Sequence, residues 1–80
     1  MDDVSAAKIF GIGFMKNTIK VERARHNLTQ QDLAEKVQVS RQTINSIEAG
    51  KYVPSTVLAL KISKVFGVAL EEIFELEEGD

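Results

Sequence analysis

Residues 29–51 read TQQDLAEKVQVSRQTINSIEAGK, and the punctuation of that stretch decides the fold. Thr29 followed three residues later by Asp32 is an N-cap signal. A short amphipathic helix follows over 30–37, with Leu33, Ala34 and Val37 on one face. Gln38, Val39 and Ser40 turn the chain. Ser40 caps a second helix, 41–49, whose apolar residues Ile44 and Ile47 sit three apart, and Gly50 stops it. Two short helices joined by so tight a turn cannot lie antiparallel. They cross steeply, which is a helix-turn-helix.

The outward face of the second helix carries Arg41, Gln42, Thr43, Asn45 and Ser46. All are hydrogen-bonding residues of moderate length. Arginine bonds guanine O6 and N7 in a bidentate way, and Gln or Asn does the same with adenine N6 and N7. A merely solvated helix would more often carry Glu and Lys in i, i+4 pairs. The face therefore points to major-groove DNA, with a soluble helix hairpin as the plain alternative.

Eighty residues make one small domain. Without cysteine, neither disulfides nor thiolate metal sites are available, which fits a reducing compartment and an expected cytoplasmic location. Helix packing must supply the core, and so small a chain gains from dimerising. No apolar run is long enough to span a bilayer. Residues 9–15 (IFGIGFM) are too short for that and lack the flanks of a signal peptide.

The net charge of −2 is unusual for a nucleic-acid binder, but the distribution is uneven. Residues 71–80 carry six acidic side chains and no base, while residues 15–70 carry nine Lys or Arg against four acids. The middle of the chain is basic and the acid is confined to the tail.

Along the chain, residues 1–14 read as an N-terminal extension, extended or disordered. Residues 15–76 read as the domain and 77–80 as an acidic tail. Helix 1 is expected over 17–26, closed by His26 and Asn27. Helix 4 starts after Ser55 and carries Leu58, Ile62 and Phe66 in one stripe, with Gly67 as its left-handed cap. Helix 5 is expected over 70–74. Phe74 and Leu76 then alternate with glutamates, a period of two that hints at a short strand paired with residues 14–16. No helix is long enough to stand alone in water. The expected shared core is Ile19, Leu28, Leu33, Ala34, Val37, Val39, Ile44, Ile47, Leu58, Ile62, Phe66, Val68, Leu70, Ile73 and Phe74.

With LTQQDLAEKVQVSRQTINSIEAGK, the Pro54-Ser55 helix start and LALKISKVFGVALEEIFEL in place, residues 15–76 resemble the Cro/C1-type (XRE family) helix-turn-helix regulators, above all the short stand-alone type. The resemblance implies an all-α, compact five-helix lambda-repressor-like DNA-binding domain, here with a short two-stranded β element. It implies a transcriptional regulator, a repressor, that binds a near-palindromic operator as a homodimer. By the same resemblance Arg41, Gln42 and Ser46 face base edges. Gln30, Thr43, Asn45 and Lys51 touch the DNA backbone, and Arg23 pairs with Glu48 to tie helix 1 to helix 3. One departure stands out: the family usually has glycine where this chain has Gln38, and a left-handed backbone there costs a residue with a Cβ about 1–2 kcal/mol.

The dimer surface is expected from Leu70, Ile73, Phe74 and Leu76. Neither a cofactor, a metal nor a small-molecule effector is implied, and the expected partners are double-stranded DNA and a second copy. The single histidine, His26, reads as a helix C-terminal dipole partner. Tyr52 reads equally as a backbone contact or as loop packing. An enzyme is not expected, since nothing supplies a nucleophile or a phosphate-cradling glycine loop. The competing class is a protein-interaction module, an antitoxin or coactivator-like subunit. Its mark would be an apolar patch away from helix 5.

Overall fold

A computed structural model describes residues 15–77. Its elements run β1 (Met15–Asn17), α1 (Ile19–Arg25), α2 (Gln30–Val37), α3 (Arg41–Glu48), α4 (Thr56–Phe66), α5 (Leu70–Ile73) and β2 (Phe74–Leu76). The fold is the expected five-helix domain with a small β element. Among the described residues, no helix is long and apolar enough to cross a membrane.

The strands pair antiparallel, Met15 with Leu76, Lys16 with Glu75 and Asn17 with Phe74. The pairing lies one residue further along β1 than expected, and Phe14 falls outside the described residues, as do the readings for 1–14 and 78–80. Asn17 is therefore strand, not the start of α1. The Thr18 N–H donates to Ile73 O at 2.9 Å, so the chain is still held to the far end of the domain where α1 begins.

Ile19, Leu33, Ala34, Val37, Ile44, Ile47, Leu58, Ile62, Phe66, Ile73 and Phe74 form one buried cluster, with Ala59 added. Leu28, Val39, Val68 and Leu70, expected inside, are half-buried against it, as are Met15 and Val65. Ala59 escaped the sequence reading because a methyl gives little periodic signal beside Leu58. Thr29, Ser40 and Ser55 each accept the N–H three residues on, at 2.9, 3.1 and 3.2 Å, so three helices start as the sequence directs.

The first four helices also end alike. Asn27, Gln38, Gly50 and Gly67 have φ of 54°, 64°, 75° and 69°. After each, an N–H reaches back five residues: Leu28 to Arg23 O, Val39 to Ala34 O, Lys51 to Ser46 O and Val68 to Ser63 O, at 2.9, 3.0, 3.0 and 3.4 Å. This is the left-handed helix stop that satisfies the last carbonyls. The residue after the stop is apolar and packed on the core for α1, α2 and α4. At α3 it is Lys51, which is exposed.

Gln38 thus adopts the left-handed backbone that the family's glycine would take without strain. Its side chain gains only an exposed bond, with Lys61 Nζ donating to Gln38 Oε1 at 3.2 Å. Gln38→Gly should raise stability by about 0.5–1 kcal/mol, the strain relieved less the extra entropy of glycine. Gly67→Ala should lower it by about 1 kcal/mol, since space is open there and only the backbone objects. Denaturant melts check both, and a Gln38→Gly variant no more stable than the parent would remove the strain argument.

Candidate nucleic-acid interface

Burial orients α3. Ile44 and Ile47 are 0% and 1% exposed, so the opposite face must look outward. Arg41, Gln42 and Asn45 are exposed and Thr43 and Ser46 half-buried. The polar side chains divide into two groups. Ser40 Oγ lies 2.9 Å from Thr43 Oγ1. Gln30 Nε2 donates to Asn45 Oδ1 at 3.2 Å and to Glu48 Oε1 at 3.3 Å. Those groups are spent on the scaffold. Arg41, Gln42, Ser46 and Lys51, by contrast, make no side-chain hydrogen bond to another described residue.

The unspent groups line two open depressions. One is lined by Ser40, Gln42, Thr43, Ser46, Lys51 and Tyr52. It brings Gln42 and Ser46 together with Lys51, and adds Tyr52, whose role the sequence left open. The other is lined by Arg23, Leu28, Thr29, Gln30, Gln31 and Arg41. There Arg41 stands beside the N-terminus of α2, whose first backbone N–H groups have no partner within the helix. Such an end favours an anion. The end is itself well set: Thr29 N–H donates to Asp32 Oδ2 at 2.9 Å. That bond, and then the Thr29 hydroxyl, hold the Asp32 carboxyl below its ordinary pKa. The cap is intact above the usual carboxylate range and is lost as pH falls through the depressed value.

Arg23 and Glu48 pair as expected. Arg23 Nε donates to Glu48 Oε2 at 2.6 Å and Nη2 to Oε1 at 3.0 Å. Nη1 donates to Leu28 O at 3.0 Å. The two side chains are 14% and 9% exposed. The hydrogen bond to Glu48 raises the Arg23 pKa, against the pull of burial. This bidentate pair bolts α1 to the last turn of α3. His26 closes α1, its Nδ1 2.9 Å from Glu22 O and its ring 5.4 Å from that of Phe66.

The expected dimer residues do not share one surface. Ile73 and Phe74 are 1% and 8% exposed, because they fill the domain's own core. Leu76 is 66% exposed and Leu70 half-buried. A separate apolar patch lies on the outward side of α4, where Val57 and Leu60 are 65% and 53% exposed. The sequence reading missed it, having followed only the inward stripe of that helix.

The helix-turn-helix family model matches residues 19–73. An uncharacterised helix-turn-helix-type transcriptional regulator of Methanocaldococcus jannaschii is 61% identical over 66 residues, 82% of this chain and all of that protein. Another, of Bacillus subtilis, is 53% identical over 64 residues, 80% of this chain and 97% of that protein. The crystal structure of a candidate DNA-binding protein from Bacteroides fragilis superposes with a TM-score of 0.69 at 29% identity, covering 78% of this chain and all of that one.

Glu48→Ala should cost about 3 kcal/mol, because it strands a nearly buried guanidinium. Arg23→Lys should fare better than Arg23→Ala yet remain below the parent, since an ammonium cannot span both carboxylate oxygens. Denaturant unfolding measures both; a loss under about 1 kcal/mol for Glu48→Ala would reduce the pair to a surface contact.

Proposed function

The chain belongs to the XRE-type helix-turn-helix family of transcriptional regulators, and from that premise we propose that it is a sequence-specific double-stranded DNA-binding repressor acting as a homodimer on a near-palindromic operator. One observation carries the reading. On α3 the side chains of Arg41, Gln42 and Ser46 make no hydrogen bond to another described residue, while neighbouring polar groups are tied into the scaffold. A solvated helix face has no reason to sort its side chains in that way.

In this reading α3 lies in the major groove. Gln42 and Ser46 meet base edges from one depression, and Arg41 meets a base edge from the mouth of the other. Lys51 and the Tyr52 hydroxyl take a phosphate beyond the end of α3. The free amides of Gln30 and Gln31 take a phosphate at the start of α2. Thr43, Asn45 and the Gln30 side chain hold α3 in register and touch the backbone only secondarily. A second copy would pair across the exposed Leu76 and the half-buried Leu70, and a dimer of this class meets half-sites about 34 Å apart.

The patch of Val57 and Leu60 favours a second reading, in which the domain docks on another protein and DNA contact is incidental. Selection from a randomised duplex library at two salt concentrations separates them. An enriched near-palindrome with half-sites about one turn apart supports the dimeric repressor. Salt-sensitive binding without a motif supports the docking module.

Gln42→Ala should cost about 1–3 kcal/mol on the preferred operator and little on random DNA. Equal losses on both would take base reading away from Gln42. Lys51→Ala should weaken binding to both and flatten the salt slope by about one unit, and an unchanged slope would strike Lys51 from the phosphate contacts. The double change of Val57→Glu with Leu60→Glu should leave operator binding within about twofold of the parent. A much larger loss, with a shift to monomer in sedimentation, would move the dimer surface onto α4.

A further inference from the structure

Asn17 ends β1 two residues before α1 begins in earnest, and its amide is divided between two elements. Its Oδ1 accepts the Ile19 N–H at 3.2 Å. Its Nδ2 donates to Ile47 O at 2.8 Å, across 30 residues of sequence. The orientation is fixed by its partners, because a flipped amide would face carbonyl to carbonyl and N–H to N–H. Ile47 O also accepts the Gly50 N–H at 3.0 Å, in the stop that ends α3 and aims Lys51 outward. One residue beyond Ile47, Glu48 is gripped by Arg23. Thus the last turn of α3 is held at two points, by Asn17 at the end of β1 and by Arg23 near the end of α1. The next side chain, Thr18, reaches the other way, its Oγ1 donating to Glu72 O at 3.1 Å.

Resting on the DNA-binding reading of α3, we infer that Asn17 is a positioning residue for DNA binding. It touches no DNA itself. Through Ile47 O it fixes the turn of residues 47–51, and so the place from which Lys51 reaches its phosphate. It also makes the terminal two-stranded sheet part of the mounting of the recognition helix. The sheet is more than a closure of the chain ends. The neighbouring Thr18 anchors the same entry to α5 and does not act on α3.

The test compares Asn17→Ser with Thr18→Ala in the full chain. Serine keeps an oxygen able to accept the N–H two residues on and is too short to reach Ile47 O. Both variants are assayed well below their melting temperatures, with stoichiometric titration correcting for any inactive fraction. Asn17→Ser should weaken binding to the selected duplex about tenfold, the scale of one lost hydrogen bond, while Thr18→Ala should bind as the parent does. In a Lys51→Ala background the Asn17→Ser loss should shrink below about threefold, because the two act through one contact. If Asn17→Ser melts too low to assay, Asn17→Thr takes its place, keeping the acceptor oxygen on a side chain suited to a strand.

Parent-like binding by the Asn17 variant, equal losses for Asn17 and Thr18, or an undiminished loss in the Lys51→Ala background would each overturn the assignment. Should the parent itself select no sequence, the DNA reading falls and the clamp is judged by hydrogen exchange. Faster exchange of the Gly50 and Lys51 amides in Asn17→Ser than in Thr18→Ala would keep the clamp. Equal exchange would remove it.

Discussion

The pairing of Arg23 with Glu48 is the constraint on which the rest of this domain turns. The eight-residue α3 is too short to hold itself in water. Its inward face offers only Ile44 and Ile47 to the core. Two apolar contacts fix which face looks inward and leave the last turn free to shift. The bidentate guanidinium, itself bonded to Leu28 O, removes that freedom at the C-terminal turn. At the N-terminal turn Ser40 supplies the cap, and Gln30 reaches over from α2 to Asn45. The helix is therefore pinned at both ends by side chains bonded within the domain.

That division explains which parts were legible beforehand. Helix starts are written in single residues, so Thr29, Ser40 and Ser55 mark them directly. The core of α2 and α3 follows from spacing alone. The Arg23–Glu48 pair came from resemblance, since nothing local links residues 25 apart. Asn17 was read as the start of a helix because β1 is three residues long, too short for a period of two to show. The bond from Asn17 to Ile47 O depends on where a strand end meets a helix end, and no sequence spacing encodes that. Ile73 and Phe74 looked like surplus apolar area for a dimer. With helices this small, the domain needs both for its own core.

The repeated left-handed stop shows how one backbone device serves packing in three places and the candidate interface in a fourth. After Asn27, Gln38 and Gly67 the chain drops an apolar side chain onto the core. After Gly50 the same geometry presents Lys51 to solvent. The turn is no different there. Only the residue after it has changed, from apolar anchor to cation. The exposed position of Lys51 is thus obtained without a special loop, and its accuracy is inherited from the stop, which is fixed by Ile47 O and Ser46 O.

Charge completes the argument. A chain of net charge −2 has no general attraction for a polyanion. At physiological salt, however, exposed charges act over about 8 Å, so the local composition of the interface governs. Within α3 the only acid is Glu48, and it is neutralised by Arg23 at 2.6 Å. What remains along that helix and just past its end is Arg41 and Lys51, one at each extremity, with amide and hydroxyl groups between. The ion pair that holds the last turn of the helix therefore also neutralises the one carboxylate of α3 that would repel a phosphate. A neutral residue at position 48 would settle the electrostatics while leaving Arg23 stranded and the helix loose, so mechanical and electrostatic needs are met together only by the pair.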